Sequence, residues 1–154
     1  MPETTEHPKT IHELAKTLAH YNKIGKPVKI RNTGHSVNGQ TLTDGVQINI
    51  GGIDHVAFDE SKMEVTAGCG ASLDKVFKTI KFPKYCRPVF PNNPGQQIHI
   101  GGTAAVGGVG PYSCNNGGFW NHVISMKLVT MEGDILECSA QKNSEYFYYS
   151  LAGF

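Results

Sequence analysis

The chain has 154 residues, 39% of them hydrophobic, and carries 14 basic against 13 acidic side chains for a net charge of +1. This length and apolar share predict one domain with a substantial core and argue against disorder or a collagen-like repeat. The charge balance, without a basic cluster, argues against nucleic acid as a partner, and the sequence shows neither a signal-peptide core in M-P-E-T-T-E-H-P-K-T nor a long apolar span, so it reads as cytoplasmic with no membrane partner.

In chain order, Ile11–Asn22 places Ile11, Leu14, Ala15, Leu18 and Ala19 at helical spacing, and Gly25 followed by Pro27 ends that helix. Val28–Ile30 reads as a short strand, and the polar loop R-N-T-G-H-S-V-N-G-Q (Arg31–Gln40) follows it. Asp44-Gly45 makes a turn before Val46–Ile50, whose V-Q-I-N-I alternation predicts a half-buried strand. Glu64–Gly68 reads as a further strand closed by glycine, and His55 falls at a strand edge or turn. Leu73, Val76, Phe77 and Ile80 define a second amphipathic helix with Ser72 as its N-cap. Pro83, Pro88, Pro91 and Pro94 make Phe82–Gly95 an irregular loop, before Ile98–Ile100 and the small-residue stretch Ala104–Gly110. Val123–Thr130 and Ile135–Cys138 form a hairpin about Glu132-Gly133-Asp134. From Ser144 a helix begins, with Tyr146, Tyr148 and Tyr149 as packing residues and an apolar face left exposed. The element order gives an α/β (α+β) fold class.

Chemistry concentrates in the glycines and in one histidine. Of the 18 glycines, 11 fall in clusters, at Gly51-Gly52, Gly68 with Gly70, Gly101-Gly102, Gly107-Gly108 with Gly110, and Gly117-Gly118. Such clusters serve packing alone or bring backbone close to an extended ligand, and their number favours a long cofactor. In the Arg31–Gln40 loop, glycine allows converging N–H groups to face an anion such as a pyrophosphate, with His35 beside it. A lone histidine in a turn is more often a hydrogen-bonding residue than a catalytic one, so its neighbours must decide. His122 either approaches a ligand pocket or, the favoured alternative, makes a structural hydrogen bond beside the hairpin. Cys69, Cys86, Cys114 and Cys138 form neither a C-x-x-C pair nor a zinc pattern and read as reduced thiols; Cys114 is the one nearest a possible pocket, with a small semi-buried residue the favoured alternative. Asp54 and Asp59 have no partner motif for a metal.

The segments K-P-V-K-I-R-N-T-G-H-S-V-N-G-Q, I-G-G-T-A-A-V-G-G-V-G, N-H-V-I-S-M-K-L-V-T-M-E-G-D-I-L-E-C-S and N-S-E-Y-F, in that order, resemble the PCMH-type FAD-binding domain of the vanillyl-alcohol oxidase family. Cytokinin dehydrogenase-like and decaprenylphosphoryl-ribose oxidase-like members look most similar, over residues 8–154. The resemblance implies one FAD-binding domain over residues 1–154, built from two α/β halves with FAD stretched between them. By that resemblance Asn32, Thr33, Gly34, His35 and Ser36 hold the FAD pyrophosphate and Gln40 adds a cofactor contact. His99, Gly101, Gly102, Thr103, Ala105 and Val109 line the flavin and its ribityl chain. His35 matches the histidine bonded to the flavin 8α carbon in the cytokinin dehydrogenase-like branch, with a simple contact as the alternative.

Two departures accompany the match. The position of the cytokinin dehydrogenase aspartate base holds Pro94, and that of a second flavin-linking cysteine holds Gly95. Leu151-Ala152-Gly153-Phe154 matches only the beginning of the family's L-G-G-x-G-x-x-G-I-I motif, so the domain is expected to lack its C-terminal strand and the substrate cap. The implied function is the FAD-binding portion of an oxidoreductase whose flavin takes hydride from a small alcohol, amine or sugar, with the substrate domain supplied either by continuation of the reading frame or by a separate chain. A non-catalytic FAD-binding module is the alternative, and a flavin-free phosphate scaffold a third. Produced alone, such a chain is expected to associate or dissolve poorly.

Overall fold

Strand pairing of β1 (Thr4–Glu6), β2 (Val28–Arg31) and β3 (Val46–Asn49) is parallel in the order β1-β3-β2, in a computed structural model that describes residues 1–36, 38–81, 98–111 and 113–151. The crossover helix α1 (Ile11–Lys23) starts where the Thr10 hydroxyl accepts the Glu13 amide at 3.1 Å, and it ends one residue later than expected. Its buried face, Leu14 and Leu18, packs with Val46, Ile48, Ile50 and Ile53.

β3 corrects the expectation of a half-buried strand. It is the central strand, with Val46 and Ile48 at 0% exposure and Gln47 also buried at 8%. A parallel central strand is covered on both faces, so its alternation carries no exposed side. Gln47 is accommodated by donating its side-chain amide to the Thr41 carbonyl at 3.3 Å. β1 was not anticipated, because T-T-E has no apolar pattern and forms a strand through its register with β3 (Thr4 opposite Val46).

β4 (Val56–Asp59), also unanticipated, pairs antiparallel with β5 (Glu64–Ala67). α2 (Leu73–Thr79) follows, capped by the Ser72 hydroxyl accepting the Lys75 amide at 3.2 Å as expected, and buries Leu73 and Val76. Then come α3 (Ile100–Val106), α4 (Ser113–Asn116) and a 3-10 turn (Phe119–His122), none foreseen as helical. β6 (Ser125–Val129) and β7 (Ile135–Ser139) form the expected hairpin, its first strand shorter than the expected Val123–Thr130 because Val123 still closes the 3-10 turn. The hairpin turns with Gly133 at φ +90° and the Thr130 amide donating to the Asp134 carbonyl at 3.0 Å.

α5 (Ser144–Ser150) corrects the role given to its tyrosines. Phe147 and Leu151 pack with Cys138, Met126, Leu128 and Leu136, whereas Tyr146, Tyr148 and Tyr149 are exposed. The expected exposed apolar face is present. Ala104 of α3 joins this second cluster, which is separate from the one that α1 and β3 build. The α/β class stands as expected. The Phe82–Gly95 loop, with Cys86, Pro94 and Gly95, and the terminal Ala152-Gly153-Phe154 lie outside the described residues. Among the described residues no helix is long and apolar enough to cross a membrane.

Candidate cofactor site

Parallel strands deliver their C-terminal ends to one edge of a sheet, and ligands of open α/β units bind at that edge. Here β2 and β3 run in register, Arg31 opposite Asn49, and the Ile50 amide donates to the Arg31 carbonyl at 3.0 Å. The loop that leaves β2 therefore starts beside the turn that leaves β3. Gly34 adopts φ +77°, and a Cβ there would stand 2.7 Å from the Arg31 guanidinium. The left-handed conformation favours glycine there, and its missing Cβ leaves room for the Arg31 guanidinium against the loop. Among the described residues Arg31 makes no ion pair, which leaves a positive charge against the loop.

Thr33, His35 and Ser36 are exposed, and Asn32 and Gly34 are half-buried. Asn32 presents the anomaly of the site: its side-chain nitrogen Nδ2 is buried and has no hydrogen-bond partner among the described residues. A buried amide donor left unsatisfied costs about 1–3 kcal/mol, so an acceptor supplied by a ligand would relieve it. Gln40 is exposed, and the contact it makes is local, its Oε1 accepting the Asn38 amide at 3.1 Å.

The second segment is brought to this loop from far along the chain. His99 bridges to Ser72, stands at the N-cap position of α3 with its carbonyl accepting from Thr103, and places its ring Nδ1 3.5 Å from the Thr33 hydroxyl. That contact, across 66 positions of sequence, joins the two groups of residues that the resemblance assigned to pyrophosphate and flavin. Within α3 the roles divide. Gly101 packs so closely that a Cβ would meet the Cys69 carbonyl at 2.8 Å, and Thr103 is buried with its hydroxyl donating to the His99 carbonyl at 2.9 Å. Both fix the start of the helix. Gly102 has nothing within 4 Å of its Cβ direction, and Ala105 and Val109 are exposed, so these three face open space. Val106 at 70% and Ile124 at 64% exposure add apolar surface.

Cys69, beside Gly101, has its thiol pushed up by burial, which keeps it protonated and unreactive near neutral pH. Cys114 is exposed, contrary to the semi-buried placement favoured from the sequence, and its thiol faces the Pro111 carbonyl at a long 3.8 Å. His122 is held locally, Nε2 lying 3.0 Å from the Asn116 carbonyl, which accords with a structural role. From the sequence Arg31 and Asn49 carry no assigned role and Gly51 figures only as part of a glycine cluster; the register of β2 and β3 is what brings Asn49 and Gly51 beside Asn32. Among the described residues no group of three or more His, Cys, Asp or Glu side chains could hold a metal.

Comparison with known proteins gives these residues a context. The model of the FAD binding domain family matches residues 2–139. Cytokinin dehydrogenase 2 of Arabidopsis thaliana is 33% identical over 143 residues, which are 88% of this chain and 28% of that protein. The solved 6-hydroxy-D-nicotine oxidase of Arthrobacter nicotinovorans superposes with a TM-score of 0.85 at 24% identity, over 97% of this chain and 32% of its own. Glucooligosaccharide oxidase of Acremonium strictum, whose FAD is described as 6-S-cysteinyl, 8α-N1-histidyl, gives a TM-score of 0.85 at 17% identity over 99% of this chain and 32% of its own. The chain thus spans about a third of the length of each. The likeness to the solved oxidases fixes the fold, and the match over residues 2–139 shows that this chain belongs to the FAD binding domain family.

Proposed function

We propose that this chain supplies the FAD-binding part of an oxidoreductase acting on a small alcohol, amine or sugar, and that FAD lies across the Asn32–Ser36 loop and the start of α3. The observation that carries the proposal is the meeting of Thr33 with His99 at 3.5 Å, which makes one site of two distant glycine-rich segments. The residues present suit the cofactor. Arg31 contributes positive charge, the buried Nδ2 of Asn32 a donor for an anionic oxygen, and Gly34 a turn without a Cβ to block approach. On the other side Gly102, Ala105 and Val109 offer a small-residue surface on which a planar ring system can rest. Bound FAD would supply a hydride acceptor, which no side chain of the protein provides.

His35 is the residue proposed to tether the cofactor, through a bond from a ring nitrogen to the flavin 8α carbon that would replace the ring N–H and one 8α C–H, with two protons going to solvent and two electrons to the oxidised flavin and on to an acceptor such as dioxygen. Its exposure leaves the imidazole accessible, and a neutral imidazole is a competent nucleophile near pH 7. The histidyl FAD of glucooligosaccharide oxidase, on the same fold, is a precedent for such a bond. Thr33, in contact with His99, would hold the loop against α3 so that the site stays in one piece.

The test is acid precipitation of the chain produced with FAD, beside its His35→Ala variant. Yellow colour is expected in the wild-type pellet and in the supernatant of the variant. Free flavin in both supernatants would refute the bond, and a colourless protein that takes up no FAD would refute the cofactor assignment itself.

A further inference from the structure

We infer that Asn49 and Gly51, at the end of β3, are positioning residues that seat the carboxamide of Asn32 for the diphosphate of the cofactor; the inference rests on the FAD site proposed above. The register of the two parallel strands sets Arg31 opposite Asn49, so Asn32 and the Asn49–Gly51 turn leave the sheet side by side. The Asn49 Oδ1 accepts the Gly51 amide at 2.9 Å, which curls the turn back on its own strand. A Cβ on Gly51 would stand 3.1 Å from that Oδ1 and 3.3 Å from the Oδ1 of Asn32. The missing Cβ is therefore the space into which both carboxamides fit. With its oxygen lodged there, Asn32 is left with a buried Nδ2 that no described residue satisfies.

Buried amide donors are almost always paired, so a fixed and unpaired one marks a direction from which an acceptor is supplied. The acceptor class follows from the surroundings: Arg31 and the Gly34 turn are the neighbouring features of the same loop, which favours an anionic, oxygen-rich group. Gly51 is not among the glycines with positive φ, so alanine there meets a side-chain obstacle and no backbone strain. Gly51→Ala should displace the Asn32 carboxamide by a few tenths of an ångström while leaving β3 intact.

A double-mutant cycle on FAD binding tests this, followed by quenching of flavin fluorescence in the His35→Ala background so that a covalent bond does not mask affinity. Gly51→Ala and Asn32→Ala are each expected to weaken FAD by about tenfold, the equivalent of one hydrogen bond, and the double variant to bind as Asn32→Ala does. Additive losses would show that Gly51 acts on the fold at large and overturn the inference, as would unchanged binding by either single variant. If Gly51→Ala does not fold, judged by circular dichroism of the apo chain, Asn49→Ala takes its place in the cycle with the same expectations. A parent chain that binds no FAD would instead remove the site proposal, a result distinct from either pattern.

Discussion

The parallel-sheet half and the half that carries α3 use their apolar residues in opposite ways. Around β3 the apolar side chains turn inward until Val46 and Ile48 reach 0% exposure, whereas Val106, Val109 and Ile124 stand at 55–70% exposure around α3 and the 3-10 turn. The first region spends its apolar surface on holding the sheet, and the second keeps some outside the core. Polar residues are reversed likewise: the loop at the sheet edge buries an unsatisfied amide in Asn32, while the polar groups that cap α3 are paired within the protein. On the proposed reading the strand ends would offer donors to an anion, and the helix apolar contact to a ring.

Truncating one apolar residue in each region should expose the contrast most clearly. Ile48→Ala leaves a cavity at the centre of the sheet and should cost about 2–5 kcal/mol, whereas Val106→Ala should change stability by less than about 0.5 kcal/mol. Urea midpoints of the two variants measure this, and comparable losses would abolish the distinction between the halves. Next in size is Gly70→Ala, whose Cβ would meet the Ile50 carbonyl oxygen at 2.2 Å. Backbone must move to admit it, for a loss of about 1–3 kcal/mol. Gly102→Ala is the counterpart on α3, where nothing lies within 4 Å. Replacing a helical glycine should raise apo stability by about 0.5–1 kcal/mol, while the added methyl weakens FAD if the cofactor rests there. Thermal melts of the apo chain and flavin titration together should give opposite signs.

The same contrast explains what could be read from the sequence. α1 and α2 were legible because their apolar spacing and their Thr10 and Ser72 caps are local signals, although only Ser72 was recognised. β1 was not, since Thr4-Thr5-Glu6 becomes a strand only through pairing with residues more than 40 positions away. α3 was missed for a related reason: I-G-G-T-A-A-V has weak intrinsic helix propensity, and its start is fixed by the His99 cap and by Gly101 against Cys69. β3 was misjudged because V-Q-I-N-I alternates in composition while its central glutamine is buried. In the site, the glycine loop and the I-G-G-T segment were recognisable by motif, but their contact through Thr33 and His99, the charge of Arg31 beside Gly34, and the orphaned Asn32 amide arise from register and fold-back, which no linear pattern records.

The smallest effect expected lies on the surface that joins α2 to the Ile53 turn. Lys75 Nζ meets Asp54 Oδ2 at 2.7 Å, and this hydrogen bond holds the Asp54 carboxyl below its ordinary value of 3.8. A carboxylate whose folded-state pKa is depressed contributes its stability above the unfolded value and loses it as pH falls through the folded one. The loss should therefore begin near pH 3.8 and proceed on the acid side of it. Both side chains are about half exposed, at 52% for Asp54 and 45% for Lys75, so solvent screens most of the attraction. A contribution of about 0–1 kcal/mol is expected at neutral pH, smaller still in 1 M salt, where the Debye length is about 3 Å. Asp54→Asn should lower the neutral-pH urea midpoint slightly and flatten the acid limb of the stability profile. Because the pair lies outside both the closed core and the cofactor loop, FAD affinity should not change with it; a parallel loss of flavin would mean that α2, through Ser72 and its bridge to His99, transmits strain to the site.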